Sequence, residues 1–262
     1  MRICNFSSGS DGNCTYVETD NTKILIDAGI SAALITKNLN EIGVNPFDID
    51  GIFVSHEHFD HIKGIDVFSA KYNTKVFAHA NCWQALEDKL KKITSQNRHY
   101  FFDNCVELKN FNVFSCPVSH DAKYTVGYKV SDGKNQFAII TDLGIVTPDI
   151  IEFSKSCPLV YIEANHDVPT LQKNPNYSFY LKSRILSNHG HLSNNQSAQA
   201  IEQMAINGTR QFVLSHLSKE NNTPEMAYNT ICKYLQTKDI IEGTHIRIAV
   251  ADITRGPIFR LE

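Results

Sequence analysis

The chain has 262 residues, of which 42% are apolar and 20% charged, with a formal net charge of −3. That composition supplies a substantial core and excludes disordered, collagen-like and coiled-coil architectures, and no apolar run approaches the ~18 residues needed to cross a bilayer. Neither half is basic, with 13 Lys/Arg against 15 Asp/Glu through residue 131, so no global charge pulls the chain toward nucleic acid. The chain opens on Ser8-Gly9-Ser10-Asp11-Gly12-Asn13, where glycines let backbone N–H groups approach an anion and Ser10 and Asn13 can donate to a phosphate. A plain hairpin turn is the blander reading of this segment. Alternation and β-branched content predict strands at 16–18, 23–27, 51–55, 75–78, 111–117, 124–130, 136–141, 159–164, 211–215 and 246–250. Helices are predicted after Ser31 and up to Gly43, over 62–70, after Thr147-Pro148, from the Ser193–Gln196 capping box to Gly208, and after Thr223-Pro224. Asp132-Gly133 reads as a hairpin turn.

Strands alternating with helices, with no linker, repeat or low-complexity tract, point to one mixed α/β layered domain over residues 1–262. The N-terminal residues lack the roughly 7–15-residue apolar stretch of a secretory signal, so a soluble, cytoplasmic protein is expected. Seven cysteines, an odd number without C-x-x-C spacing, argue against a disulfide framework or zinc ribbon and for buried free thiols.

Six apolar runs end in a residue able to bind metal or carry a proton: Asp27, His56, His120, Asp142, Glu163 and His216. A buried strand disfavours a charge in its middle but can deliver one at its end, where α/β ligand sites assemble. A single such residue is more often structural, whereas six predict one shared site. The densest signal is His56-Glu57-His58-Phe59-Asp60-His61. Four potential ligands in six residues are too crowded for one helical face and suit a loop leaving a strand, addressing two neighbouring ions. Imidazole with carboxylate and no cysteine suits zinc or manganese, with iron also within range.

This H-x-H-x-D-H array, with Asp27 before it and His120, Asp142 and His216 after it, resembles the metallo-β-lactamase fold hydrolases over nearly the whole chain. The resemblance implies a four-layer αβ/βα sandwich holding two divalent metal ions at the edge of two facing sheets. It implies that His56, His58 and His120 bind one ion and Asp60, His61 and His216 the other, with Asp142 bridging and Asp27 orienting a ligand from behind. Two cations ~3.5–4 Å apart bring a bridging water to hydroxide near neutrality and neutralise charge on an attacked phosphoryl or acyl oxygen. An aspartate at position 142, rather than cysteine, points away from β-lactam hydrolysis and toward phosphodiesters or thioesters.

Glu163 and His191, within Tyr161–Asp167 and Asn188–Asn194, resemble the carboxylate–imidazole pair of the tRNA 3′-processing nucleases in this superfamily. Transferred here, Glu163 orients His191 as the general acid that protonates the leaving oxygen, a role worth ~10²–10⁴-fold. The alternative is that His191 only caps the site. Asp60, Glu163 and His191 are therefore the residues expected to take part in catalysis, and Ser10, Asn13 and Asn194 the candidate phosphate contacts. His166 and His189 are weaker candidates. No tRNA-binding arm is present, and the 74 residues from Asp142 to His216 leave no room for an inserted second domain. The segments Ser8–Cys14, Val54–His58, Gly190–Asn194 and His216–Pro224 resemble the YycJ/WalJ family of bacterial enzymes end to end, which implies a 5′→3′ exonuclease on double-stranded DNA. The rival readings are a thioester hydrolase similar to glyoxalase II and a metal-stabilised regulatory protein without activity. Lys89, Lys91, Lys92, Arg98 and His99 form a basic cluster able to touch a DNA backbone, although such runs are more often solvated helix faces.

Overall fold

In the computed structural model, which describes residues 1–102 and 104–261, the apolar runs lie in two seven-stranded sheets. The strands are β1 (Arg2–Ser7), β2 (Cys14–Glu18), β3 (Lys23–Ile26), β4 (Gly51–Val54), β5 (Lys75–His79), β6 (Arg98–Phe101), β7 (Cys105–Leu108), β8 (Phe111–Val118), β9 (Thr125–Ser131), β10 (Gln136–Ile140), β11 (Leu159–Glu163), β12 (Gln211–Ser215), β13 (Arg247–Val250) and β14 (Ile258–Arg260). One sheet runs β14-β1-β2-β3-β4-β5-β6 and the other β13-β12-β11-β10-β9-β8-β7. Each has an antiparallel block and a parallel block. Of the strands that carry the predicted site, β3 and β4 in one sheet and β10, β11 and β12 in the other lie in or border the parallel blocks, whereas β8, which delivers His120, lies in an antiparallel block.

Period-2 geometry explains why these strands read as continuous apolar runs. In β3, Ile24 and Ile26 enter the core between the sheets while Leu25 faces helices. Likewise Phe53, Tyr161 and Val213 pack between the sheets, and Ile52, Val160, Ile162, Phe212 and Leu214 pack outward under helices. Both faces are buried, so neither can be polar. Covering the first sheet are α1 (Ala32–Glu41), α2 (Phe59–Ile62), α3 (Ile65–Tyr72) and α4 (Ala80–Leu86). In the second half come α5 (Pro148–Ser154), α6 (Val168–Lys173), α7 (Phe179–Ile185), α8 (Asn194–Ile206) and α9 (Pro224–Gln236), of which α5, α8 and α9 pack on the second sheet. The result is the expected four-layer αβ/βα sandwich. Among the described residues no helix is long and apolar enough to cross a membrane.

The caps act as the sequence predicts. Ser31, Thr147 and Thr223 each accept from the backbone N–H three residues on, and Ser193 and Gln196 form the reciprocal capping box. The helix expected over 62–70 instead starts at Ile65, because the Gly64 N–H turns away to donate to Ala28 O at 2.8 Å. Nor is the histidine array wholly a loop: Phe59–Ile62 forms one helical turn. The cysteines are all free, with Cys4, Cys14, Cys82 and Cys157 buried, Cys116 and Cys232 half-buried, and Cys105 exposed on the edge strand β7, contrary to the expectation of burial.

Candidate metal centre

All six strand-end residues converge on one edge of the sandwich, where the sheets are pinned together. The Tyr128 hydroxyl of β9 donates to Val54 O at 2.7 Å, and Val126 N–H donates to Ser55 O at 3.2 Å, so β9 of one sheet fixes the end of β4 in the other. The histidine array leaves β4 at this point. Gly29 lies beneath it: a Cβ there would come within 1.6 Å of Asp60 O, so only glycine permits the contact.

The side chains assemble into overlapping groups whose ligand atoms lie within 4.8 Å of one another: His56, His58 and His120; His56, His61 and Asp142; Asp60, His61 and His216; and Asp142, Glu163, His191 and His216. Asp142 sits between them. Its Oδ2 is 3.2 Å from His61 Nε2, and its Oδ1 is 3.4 Å from His216 Nε2 and 3.8 Å from His120 Nε2. Asp60 Oδ2 lies 3.5 Å from His61 Nε2 and 3.6 Å from His216 Nε2.

Most of the imidazoles are held from behind. His61 Nδ1 is 2.8 Å from Asp27 Oδ2, His56 Nδ1 is 3.0 Å from Ser55 Oγ, and His120 Nδ1 is 3.2 Å from Gly190 O. Asp27 also accepts from Ser55 N–H and Oγ–H, both at 2.8 Å, which fixes its carboxylate behind His61 as expected. With Nδ1–H donating backwards, each Nε2 is left as an acceptor on the side of the centre. His58 differs, presenting Nδ1 at 3.4 Å from His120 Nε2. His56 Nε2 and His216 Nε2 are buried with no hydrogen-bond partner among the described residues, a need that a cation facing each would satisfy.

Electrostatics agree with this. Burial and the neighbouring His61 hold His56 well below the usual histidine range, and burial holds His120 down despite Asp142. Both are kept neutral, as ligands must be. Burial alone would lower His61 and His216 too, but Asp27, Asp142 and Asp60 lift His61 well above its ordinary value, and Asp142, Asp60 and Glu163 lift His216 to about 10. Buried carboxylates thus give the pocket a strong hold on positive charge, whether protons or metal.

Glu163 is fully occupied. Its Oε2 accepts from Leu143 N–H at 3.2 Å and Leu192 N–H at 3.0 Å, while its Oε1 lies 2.8 Å from His191 Nδ1 and 2.9 Å from His216 Nδ1. Burial would raise this carboxyl, yet His191 and His216 bring it down to about 2. Burial pushes the His191 imidazole down, and Glu163 and Asp142 more than reverse that, leaving it raised. Sequence reasoning paired Glu163 with His191 but missed that the same oxygen orients His216. It also missed Ser8 Oγ, which accepts from His216 N–H at 2.8 Å, and Asn165, whose amide donates to His216 O at 2.9 Å.

Two expected phosphate contacts do not reach solvent. Asn13 is buried with its amide set against Gly9 O, Asp60 and His61 Nε2, and Asn194 exchanges amide hydrogen bonds with Asn222. Both brace loops. Ser10 does line an open cleft of about 160 Å³ with Asp121, Tyr177, Arg184, His191 and Ser218. His189 is exposed, with Nδ1 2.9 Å from Ser119 Oγ, and His166 is buried with neither ring nitrogen bonded among the described residues. The basic cluster is partly structural, since Lys89 donates to Glu57 O at 2.8 Å, bracing the histidine array, and Arg98 donates to Leu90 O.

Residues 22–217 match the model of the beta-lactamase superfamily domain. The chain is 38% identical over 245 residues to exodeoxyribonuclease WalJ of Streptococcus pneumoniae, covering 92% of this chain and 91% of that one. It is 34% identical over 249 residues to exodeoxyribonuclease YycJ of Bacillus anthracis, covering 94% and 93%. The crystal structure of Zn²⁺-bound PqqB from Methylobacterium extorquens superposes with a TM-score of 0.75 over all of both chains at 13% identity, a likeness of fold alone. With the sandwich, the clustered imidazoles and carboxylates and these relatives in agreement, the chain belongs to the beta-lactamase superfamily and, within it, to the family of WalJ and YycJ.

Proposed function

We propose that this protein is a cytoplasmic 5′→3′ exonuclease on double-stranded DNA that works with two divalent cations, Zn²⁺ or Mn²⁺. Its standing as a metal-dependent nuclease follows from the family. In this reading His56, His58 and His120 would hold one ion and Asp60, His61 and His216 the other, with Asp142, which lies between the two groups, available to both. Such ions lower the pKa of water and neutralise charge on the phosphoryl oxygens. The protein's own groups do the rest. Asp27 and Ser55 keep His61 and His56 in the tautomer that presents Nε2, and Glu163 does the same for His216. Ser10, on the rim of the cleft, is placed to meet a phosphate oxygen.

The observation that carries the reading is Glu163 Oε1, shared between His216 Nδ1 and His191 Nδ1. One buried carboxylate fixes an imidazole facing the centre and also favours the protonated form of a second, partly exposed imidazole. His191 thus holds a proton at Nε2 beside the cleft and can deliver it to a departing 3′-oxygen, a strongly basic leaving group that needs one. A thiolate leaves without a proton, so a thioester hydrolase has no use for this pair. The test is purified protein with Mn²⁺ or Zn²⁺ against 5′- and 3′-labelled duplex DNA, single-stranded DNA, RNA and a thioester in parallel. Release of mononucleotides from the 5′ end of the duplex is expected; thioester hydrolysis with no nuclease activity would overturn the proposal.

A further inference from the structure

Between β11 and β12 the chain runs through α6 and α7, and α7 is unlike every other helix of more than one turn among the described residues: none of its side chains is buried. Phe179 and Tyr180 are 87% and 80% exposed, which leaves two adjacent aromatic rings in water. Yet α7 is not loosely attached. Ile185 O accepts from the His191 N–H at 3.0 Å, and a Cβ on Gly190 would come within 2.1 Å of Ile185 O, so the last turn of α7 is pressed against the loop that carries His191. Tyr177, Leu181 and Arg184 line the same cleft as His191 and Ser10.

Charge identifies the occupant. From Val168 to Gly190 there are three cationic side chains, Lys173, Lys182 and Arg184, and no Asp or Glu, in a chain whose net charge is −3. Arg184 pairs with Asp121, whose Oδ1 is 3.3 Å from His120 Nε2, which sets the guanidinium beside the centre. A cationic segment carrying two exposed rings next to a phosphodiester site has the chemistry of a nucleic-acid stacking platform.

We propose that α7 holds the retained part of the DNA strand being degraded, on the 3′ side of the cut, with Phe179 and Tyr180 stacking on its bases and the cations of Lys182 and Arg184, held by Gln172 O and Asp121, beside its phosphates; this rests on the nuclease reading above. Six residues of helix separate Ile185 from Phe179, about 9 Å along the axis. At about 3.4 Å per nucleotide, the rings meet bases two to three nucleotides from the scissile phosphate.

The test compares the wild type with the Phe179→Ala/Tyr180→Ala double variant on a DNA duplex and on a nitrophenyl ester of thymidine monophosphate, which is too short to reach Phe179 and Tyr180. Stacking is worth roughly 1–3 kcal/mol per base, so losing both rings is expected to raise KM for the duplex at least roughly 30-fold. The kcat on the duplex and both constants on the ester should stay at wild-type values. The Phe179→Tyr/Tyr180→Phe variant, which keeps both rings, should keep the wild-type KM. A wild type that degrades the duplex and a double variant with unchanged KM would overturn this inference alone. A wild type inactive on DNA would overturn the nuclease reading and this inference with it. Sedimentation showing a dimer that the double variant dissolves, with KM for DNA unchanged, would assign the face to a second copy and overturn the proposal.

Discussion

Replacing His191 by alanine separates proton donation from every other function of the site. The ring is about one-fifth exposed and makes one side-chain hydrogen bond, to Glu163 Oε1. Removing it leaves Glu163 its bonds to Leu143 N–H, Leu192 N–H and His216, so no buried charge is stranded and His216 keeps its orientation. The structural cost is one charge-assisted hydrogen bond, ~1.5–3 kcal/mol, and a modest loss of Tm. The catalytic cost is far larger for a poor leaving group: ~10²–10⁴-fold in the rate of DNA cleavage, or ~2.7–5.4 kcal/mol of transition-state stabilisation. The assay is single-turnover cleavage of an end-labelled duplex beside hydrolysis of a nitrophenyl phosphodiester, whose leaving group departs as a stable anion. The DNA rate should collapse while the ester rate stays within about fivefold, since general-acid catalysis contributes little when the leaving group needs no proton. The wild-type rate on DNA should also decline on the alkaline side as the raised imidazole loses its proton, and the variant should lack that limb. Equal losses on both substrates would mean that His191 positions the site rather than protonating, and an unchanged DNA rate would end its role altogether.

Other perturbations act on the ions and the fold. His58→Ala and Asp60→Ala should each lower bound metal, read by elemental analysis, and abolish hydrolysis; a variant that is fully active without metal refutes the assigned ligands. Asp27→Asn should weaken metal binding ~10- to 100-fold by releasing His61 from its acceptor, measured by competition with a chromogenic chelator. Chelator-treated protein should show a two-sided pH dependence in thermal melts. Glu163, held at about 2 against an ordinary 4.5, contributes stability present above pH 4.5 and lost as pH falls toward 2, on the order of 3 kcal/mol for the whole interaction. His216, raised from 6.5 to about 10, contributes stability present below pH 6.5 and lost as pH rises through 10. The two limbs overlap only in the Glu163–His216 pair, since His191 contributes most to the acid limb and Asp142 most to the alkaline one. Loading Zn²⁺ should flatten the alkaline limb, because a cation replaces the proton; a Tm that is already flat from pH 6.5 to 10 without metal would contradict this.

What could be read from the residues was whatever burial writes into a pattern. Strands β3, β4, β10, β11 and β12 are apolar on both faces and end in a charged or ligating residue, so both strand and site were legible. Elements with little or no buried face were not. Helix α7 has no buried side chain to create a period, β14 is three residues long at a sheet edge, and β7 is an edge strand without a fully buried residue. The phosphate contacts failed for a different reason. Asn13 and Asn194 have the right chemistry, but whether an amide faces substrate or braces a loop depends on the tertiary partners His61 and Asn222, 48 and 28 residues away. For the same reason the sharing of Glu163 by two histidines could not be foreseen from one of them.

The backbone shows how the site is held open to cations. Asp27, Asp142 and His216 each follow a strand, and each adopts the left-handed conformation, with φ of 58°, 58° and 56°. Asp and His tolerate that region better than bulky residues do, but it still disfavours folding at each position. The turn stops the strand abruptly and swings the side chain out of the pleat toward the gap between the sheets. A β conformation would direct these residues into the apolar cores on either face. The surrounding bonds over-determine the strained geometry: Asp27 N–H donates to Phe53 O at 2.8 Å, Ser8 Oγ accepts from His216 N–H, and Asn165 donates to His216 O. None of these bonds involves the ion-facing atoms, so the fold fixes the ligand positions before any cation enters. In the proposed metal-bound form the cations would then meet a preformed centre rather than order loose loops.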